Sequence, residues 1–457
     1  MAAGALALAG CADKWDRPAL GVDAPDRWRD ESGAKAAWPS PDWWRGFKSA
    51  ELSLLIETAE RENQDIGAAL ARIEQADAQS RIAGAPLIPL VSASADAQAE
   101  RVSGSRRTVG LLQAQLNASY ELDFWGKNRA NLRSAEASAA AARFAKEVVA
   151  LGVVTSVANT YFALMASQEQ LLIARNNVAS AKTILDAIQG RVDAGTATAL
   201  DRAQQRSVLD QEKARIPEIE QNIRLNETAL ALLLGRPPVR LSVKGGRMTG
   251  LAVPKVSPGI PSEVLLRRPD MRQVEAELAA TDSDVTAARA AFLPSFDLTA
   301  AGGVASTALR SLFASQSLVY ALAAGVTQPL LDPTLPGELD LAKGRYRENL
   351  FAYRRAAVQS FVDVENALVS VRKTTEQERL QRSAVDSARE AYDIAREQLK
   401  GGAIDITTVL TAQQSLFSAQ DILVEVRLAR FQAIVSLFEA LGGGWAPYGS
   451  PLVSKAG

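Results

Sequence analysis

Two hydrophobic periods follow one another along the chain. From Leu52, apolar residues fall at three- and four-residue steps: Leu52, Leu55, Ile56, Ala59, Ile66, Ala69, Leu70, Ile73 and Ala76. That spacing predicts a helix. The period then changes to two. Val91, Ala93, Ala95, Ala97 and Ala99 alternate with Ser92, Ser94, Asp96, Gln98 and Glu100. After a polar turn at 103–107, Leu112, Ala114, Leu116, Ala118 and Tyr120 alternate with Gln113, Gln115, Asn117, Ser119 and Glu121. These are two strands, each with one apolar and one polar face. The polar face, with Asp96, Gln98 and Glu100 beside Gln113, Gln115 and Asn117, is expected to meet water. Strands of about ten residues fit a transmembrane barrel wall. They fit a soluble hairpin over a core equally well, and alternation alone does not choose.

Long helices follow. No proline occurs between Pro89 and Pro217. The helical pattern from Gly126 to about Gly190 corresponds to roughly 95 Å at the usual rise. Leu164, Leu171, Val178, Leu185 and Val192 recur every seven residues, which predicts a left-handed supercoil. The helix closes at Asp193-Ala194-Gly195-Thr196, and its counterpart closes at Lys400-Gly401-Gly402-Ala403. A returning helix runs to Gly235 and, in the second copy, to Gly442. Pro217 is expected to kink the first of these. Two uncharged stretches, 148–168 and 311–331, have the length a bilayer needs. The first carries several hydroxyl and amide residues; the second contains Pro329 and copies a strand. Neither reads as a membrane-spanning helix.

The second copy is a true internal repeat. Phe144 aligns with Phe351, Asn159 with Asn366, Gly195 with Gly402 and Leu234-Gly235 with Leu441-Gly442, all at an offset of 207. Upstream the offset is 205, as for Asp65 with Asp270 and Pro89 with Pro294. The strands recur as Phe296, Leu298, Ala300 and Val304, then Leu318, Tyr320, Leu322, Ala324 and Val326. The expected division is a signal remnant (1–10), an extended segment (11–48), a first repeat (49–240), a linker (241–260), a second repeat (261–445) and a tail (446–457). The first repeat places a hairpin at 87–123 and a helix pair at 126–235. The second places them at 294–328 and 338–442. Four strands cannot close a membrane barrel; two copies supply eight and three supply twelve.

Composition narrows the chemistry. The 457 residues include no histidine and one cysteine, with a formal net charge of −1. No Ser-His-Asp triad, Cys-His pair or histidine-based metal site is possible. No internal disulfide or multi-cysteine metal site can form. The balanced charge argues against nucleic acid as a partner. No paired-carboxylate, phosphate-loop or metal spacing stands out, so neither an enzyme nor a cofactor is expected. The lone Cys11 ends an uncharged apolar run, Leu8-Ala9-Gly10-Cys11, as in a bacterial lipoprotein signal. No Lys or Arg precedes it, which leaves room for a start upstream of Met1. Cys11 is expected to be acylated. Ala12 in place of Asp directs the anchor to the outer membrane.

Six short motifs stand in order within this duplicated frame. They are Trp43-Trp44 with Phe47, Tyr120-Glu121-Leu122-Asp123-Phe124-Trp125-Gly126, Arg267-Arg268-Pro269-Asp270, Phe292-Leu293-Pro294-Ser295, Gln328-Pro329-Leu330, and Ala440-Leu441-Gly442-Gly443-Gly444-Trp445. From Cys11 to Trp445 the chain resembles a TolC-like outer-membrane efflux factor of the NodT/OprM lipoprotein type. The resemblance implies a mainly α fold with a transmembrane β part. In a homotrimer, long coiled-coil helices would form a periplasmic α-barrel below a twelve-stranded β-barrel. It implies a channel for small toxic compounds, docked to a periplasmic adaptor and an inner-membrane pump of the resistance-nodulation-division class. It places a periplasmic gate on Thr407, Thr411 and Gln414, where relatives often carry Leu, Asp and Arg. It places adaptor contacts at the two glycine turns, on Arg191, Gly195, Leu200, Gly402 and Ile406. A type I protein-secretion outlet or a metal-ion efflux channel would share the fold. A periplasmic coiled-coil adaptor is the reading outside transport, and the duplicated strands disfavour it.

Overall fold

The computed structural model describes residues 18–25, 27–29, 38–101, 109–254 and 261–445. Cys11, the 1–10 leader, the 103–107 turn and the 446–457 tail lie outside the described residues. The elements in order are α1 (Ala50–Glu62), α2 (Gln64–Gly84), β1 (Leu90–Glu100), β2 (Val109–Glu121), α3 (Lys127–Asp193) and α4 (Ala199–Leu233). Then come α5 (Pro261–Arg267), α6 (Pro269–Ala290), β3 (Ser295–Ser306), β4 (Leu318–Thr327), α7 (Thr334–Lys400) and α8 (Ile406–Ala440). The duplication is exact in helix length: α3 and α7 each have 67 residues, and α4 and α8 each have 35. The chain divides into two compact units.

The first unit comprises described residues within 18–22, 71–144 and 272–356. It holds one antiparallel sheet in the order β1-β2-β3-β4. Beside it, Leu278 and Val285 of α6 pack with Ala342, Tyr346 and Leu350 of α7. Asp123 starts α3, its carboxylate accepting from the backbone N–H groups of Asn128 (3.0 Å) and Arg129 (2.9 Å). Trp125 donates its indole N–H to Pro294 O at 2.7 Å, and Phe124 meets Phe296 edge-on at 4.8 Å. Those contacts join the two hairpin bases. Helix α7 begins at Thr334, earlier than 338. The Asp332 carboxylate accepts from Thr334 N (2.9 Å) and Thr334 Oγ1 (2.6 Å). Pro336 then falls in the first turn, where a missing N–H costs no intrahelical bond. Arg354 of α7 donates to the carbonyls of Ala19 (2.7 Å) and Leu20 (2.8 Å), pinning the N-terminal segment.

The second unit comprises described residues within 23–70, 145–271 and 357–445. Its main core is aromatic: Trp43 stacks on Phe438 at 4.6 Å, and Phe162 lies 5.0 Å from both Phe47 and Phe431. The uncharged run of α3 supplies Val153, Val154, Val157, Ala158, Tyr161, Phe162, Leu164 and Met165 to this core. Burial within the protein therefore accounts for its hydropathy. Trp28 fills a second cluster with Val264, Val364, Leu437 and Leu441. Pro217 lies inside α4 without ending it.

The first helical stretch is broken where the apolar pattern ran on. Asn63 adopts an extended conformation between α1 and α2. Its side-chain oxygen accepts from Asp65 N (2.8 Å) and Ile66 N (3.1 Å), which caps α2. Its amide N–H donates to Leu233 O at 2.8 Å, at the end of α4. The second repeat builds the same joint with different chemistry. Arg268, between α5 and α6, donates to Ala440 O at 3.2 Å, at the end of α8. Arg268 also bonds both carboxylate oxygens of Asp270 and reaches Asp363 at 2.9 Å. Gly235 and Gly442 close the two joints with φ of 64° and 85°. A side chain on either would collide with the carbonyl of Glu62 or Arg267.

Candidate functional site

The strand register sorts the sheet into two faces. Asp96 lies opposite Gln113, Ser94 opposite Gln115 and Ser92 opposite Asn117. Gln113 donates to Asp96 at 3.4 Å and Asn117 to Ser94 Oγ at 3.2 Å. Gln98 pairs with Leu111 and Glu100 with Val109 in the same phase. This polar face continues into β3 through Asp297, Thr299, Ala301 and Gly303, and into β4 through Gly325, Ala323, Ala321 and Val319. The second repeat thus lines it with small residues rather than amides. The opposite face is apolar on every strand apart from Ser306 at the end of β3. One rung runs Ala118, Ala300 and Leu322, and the next runs Tyr120, Leu298 and Ala324. Leu116, Leu318, Tyr320 and Leu322 are 60–83% exposed there. Such a face has no covering element among the described residues, and hydrocarbon suits it.

The helix tips belong to the second unit. Gly195 and Gly402 have φ of 72° and 73°. In each turn the glycine N–H and the following N–H return to the last helical carbonyls: Gly195 to Val192 and Thr196 to Arg191, Gly402 to Leu399 and Ala403 to Gln398. That pattern is the Schellman motif. Nothing lies within 4 Å of where a side chain would project from either glycine. Arg191 donates to Leu399 O at 3.1 Å and ties the end of α3 to the end of α7. Leu200 is 65% exposed. Ile406 is placed differently: it is buried with Leu399, Val409 and Phe417 and supports the tip from within. Thr198 and Asp201 form a reciprocal capping box that starts α4.

Thr407, Thr411 and Gln414 lie on one exposed face of α8, at steps of four and three. The threonine hydroxyls are already committed. Thr407 Oγ1 donates to Asp405 at 2.6 Å, and Thr411 Oγ1 donates to Thr407 O at 2.9 Å. The hydrogen bonds from Thr407 Oγ1 and from the backbone N–H and hydroxyl of Thr408 hold the Asp405 carboxyl below its usual range. The tip face therefore presents no side-chain charge of its own at these three positions.

Three buried polar groups behind this face escape sequence reading. Gln413 is fully buried, and neither end of its amide has a hydrogen-bond partner among the described residues. Farther along, Glu212 of α4 and Asp421 of α8 share Arg215, which sits 2.6 Å from Asp421 and 3.6 Å from Glu212. Burial pushes the Glu212 carboxyl up, and Asp421 adds to that. Farther still, Glu378 of α7 receives Arg430 (2.7 Å), Arg382 (3.1 Å) and Arg427 (3.2 Å), while Arg427 also reaches Glu169 of α3 at 2.9 Å. Burial raises the Glu378 carboxyl, but the hydrogen bonds and charges of Arg430 and Arg427 together hold it below its usual range. The available signal was the seven-residue step Gln413, Gln420, Arg427, in phase with Leu410, Phe417 and Val424 of the same helix.

Comparison with known proteins decides the family. The outer membrane efflux protein family matches residues 55–236 and again residues 260–443, once in each repeat. The chain belongs to the outer membrane efflux protein family. The pyoverdine export outer membrane protein OpmQ of Pseudomonas putida is 37% identical over 441 residues, covering 94% of this chain and 93% of that protein. The probable outer membrane lipoprotein SilC of Salmonella typhimurium is 30% identical over 448 residues, covering 96% of both. Among solved structures, the open state of the Neisseria gonorrhoeae MtrE outer membrane channel superposes with a TM-score of 0.87 at 26% identity. It covers 94% of this chain and 97% of that one. This efflux protein is accordingly an outer-membrane channel component, mostly helical with four antiparallel strands.

Proposed function

We propose that three copies of this efflux protein assemble a passive outlet. Its twelve-stranded wall would cross the outer membrane, and its helices would enclose a periplasmic tunnel. The observation that carries this reading is the four-stranded sheet with a largely apolar face and two edges, β1 and β4, unpaired among the described residues. Backbone groups cannot remain unpaired in hydrocarbon, so β4 of one copy must meet β1 of the next until the wall closes. Acylated Cys11 would add a lipid anchor. The outlet performs no chemistry, in keeping with a sequence that contains no histidine. A periplasmic adaptor would dock at the tips around Arg191, Gly195, Leu200 and Gly402, fed by a pump of the resistance-nodulation-division class. Small toxic compounds are the cargo that fits; the pyoverdine export name of OpmQ supports a small-molecule route.

Purified protein in detergent is expected to run as a heat-resistant trimer and to form pores in planar bilayers. A water-soluble monomer without pores would defeat the outlet reading. The tip face formed by Thr407, Thr411 and Gln414 would be the gate, closed without charged pairs. Thr411→Asp would bring a carboxylate into it and is expected to lower single-channel conductance. Unchanged conductance would remove these residues from the gate. At the tips, the Cβ added by Gly195→Arg or Gly402→Arg would meet no described atom within 4 Å, and the positive φ at each position costs only about 1–2 kcal/mol. The variant trimer is expected to persist while crosslinking to the adaptor is lost. Undiminished crosslinking would place the contact elsewhere.

A further inference from the structure

The linker between the repeats is held fast by its backbone. Lys244 and Gly245 donate to Glu51 (2.8 and 2.9 Å), Gly246 to Gln168 (3.1 Å), Met248 to Glu169 (3.2 Å) and Ala252 to Phe47 O (3.0 Å). So fixed, it forms one part of the lining of a cavity of about 560 Å³ within the second unit. The rest of the lining comes from α3, α7 and α8. That volume is ordinary for a small-molecule site. Part of the surface is apolar: Met248 and Leu251 of the linker, Ile173 of α3, and Val424 and Phe431 of α8. The remainder is mostly charged.

Arg382, Arg389, Arg427 and Arg430 line it against Glu169, Glu378 and Asp386, which leaves a net positive charge. The pairing is uneven. Glu378 accepts from Arg382, Arg427 and Arg430, and Glu169 divides itself between Arg427 and Met248 N. Arg389 and Asp386 are exposed and have no ion pair among the described residues. Two buried polar atoms of the lining are unused as well. Arg430 Nε has no acceptor and Gln420 Oε1 has no donor among the described residues. Polar atoms left buried and unpaired are costly. A carboxylate would give Arg430 and Arg389 the acceptor that guanidinium groups bind best. Half a turn of the Gln420 amide would present an N–H to the same group. A hydrocarbon body on that carboxylate would cover Ile173, Val424 and Phe431.

We propose that this cavity binds a small amphiphilic carboxylate, held by Arg389 and Arg430 at its charged end and by the apolar lining along its body. The site lies within one unit of one protomer, so it stands apart from the outlet reading. Purified protein in a non-ionic detergent is dialysed to equilibrium against radiolabelled hexanoate, with detergent alone as the blank. Hexylammonium tests the charge and inorganic phosphate tests the need for hydrocarbon. Hexanoate is expected to bind saturably, one molecule per protomer, roughly tenfold more tightly than either. Arg389→Gln, at an exposed position with no ion pair to lose, is expected to weaken hexanoate roughly tenfold. Asp386→Asn removes the unpaired carboxylate of the lining and is expected to tighten binding several-fold, a gain that misfolding does not produce. Thr249→Trp, at an exposed lining position, should block the site, and Arg224→Gln, outside it, should change nothing. No saturable binding, the result if water alone fills the cavity, overturns the proposal. Equal binding of hexylammonium or phosphate does so too, as does hexanoate binding that Arg389→Gln and Asp386→Asn leave unchanged.

Discussion

Gly442→Ala is expected to cripple folding, whereas Gly402→Ala is expected to be tolerated. Both residues have positive φ, 85° and 73°. An L-residue in that region costs about 1–2 kcal/mol, and Gly402→Ala should lose only that. At Gly442 the added methyl would also meet the backbone carbonyl of Arg267, within the joint between α5 and α6. Backbone in a packed joint cannot swing aside, so overpacking adds a further ~1–3 kcal/mol. Gly444→Ala should behave like Gly442→Ala, because its methyl would meet the backbone of Ser40. Gly443→Ala should fall between, since it meets only the flexible end of Leu151. Thermal unfolding of the detergent-solubilised protein, followed by circular dichroism, ranks the four. Equal losses for Gly442→Ala and Gly402→Ala would show that conformation alone matters and that the joint is not close-packed.

The second large effect is expected at Glu378. Its side chain is 5% exposed and serves three guanidinium groups. Glu378→Ala would leave Arg430 without its carboxylate and Arg427 with Glu169 alone. Removing one partner of a buried pair costs about 3–5 kcal/mol, because the remaining charge stays desolvated. Arg382 is 62% exposed, so Arg382→Ala should cost no more than ~1 kcal/mol. Glu378→Met with Arg430→Met removes a charge of each sign and leaves Arg427 its Glu169 partner. Part of the lost stability should return in that double variant. A double variant no better than Glu378→Ala would show that packing at Glu378, not charge, makes the difference.

The strands were legible because period two is itself a statement about faces. Once Asp96 lies opposite Gln113, every other residue of β1 and β2 follows. The family decided what alternation left open, that the strands belong to an outer-membrane channel protein and not to a soluble one. The face shared by Thr407, Thr411 and Gln414 was equally readable from helical spacing. The break at Asn63 was not, because the apolar steps continue across it and only the Asn63–Asp65 pair marks a cap. Ile406 shows the same limit from the other side: beside a turn it reads as exposed, yet the core at Val409 and Phe417 takes it in. Buried polar positions were the least legible. Gln413 and Glu212 sit among residues that look solvated, and only the packing of neighbouring helices reveals that water cannot reach them. The glycine run from 442 to 444 announced a turn. That all three have positive φ, two of them against backbone, is information the letters alone do not carry.

The clamp on the N-terminal segment has a mechanical consequence. Arg354 grips the carbonyls of Ala19 and Leu20 with two charge-assisted hydrogen bonds. A pull on the chain ahead of Ala19 would enter helix α7 at that guanidinium before it reached any strand.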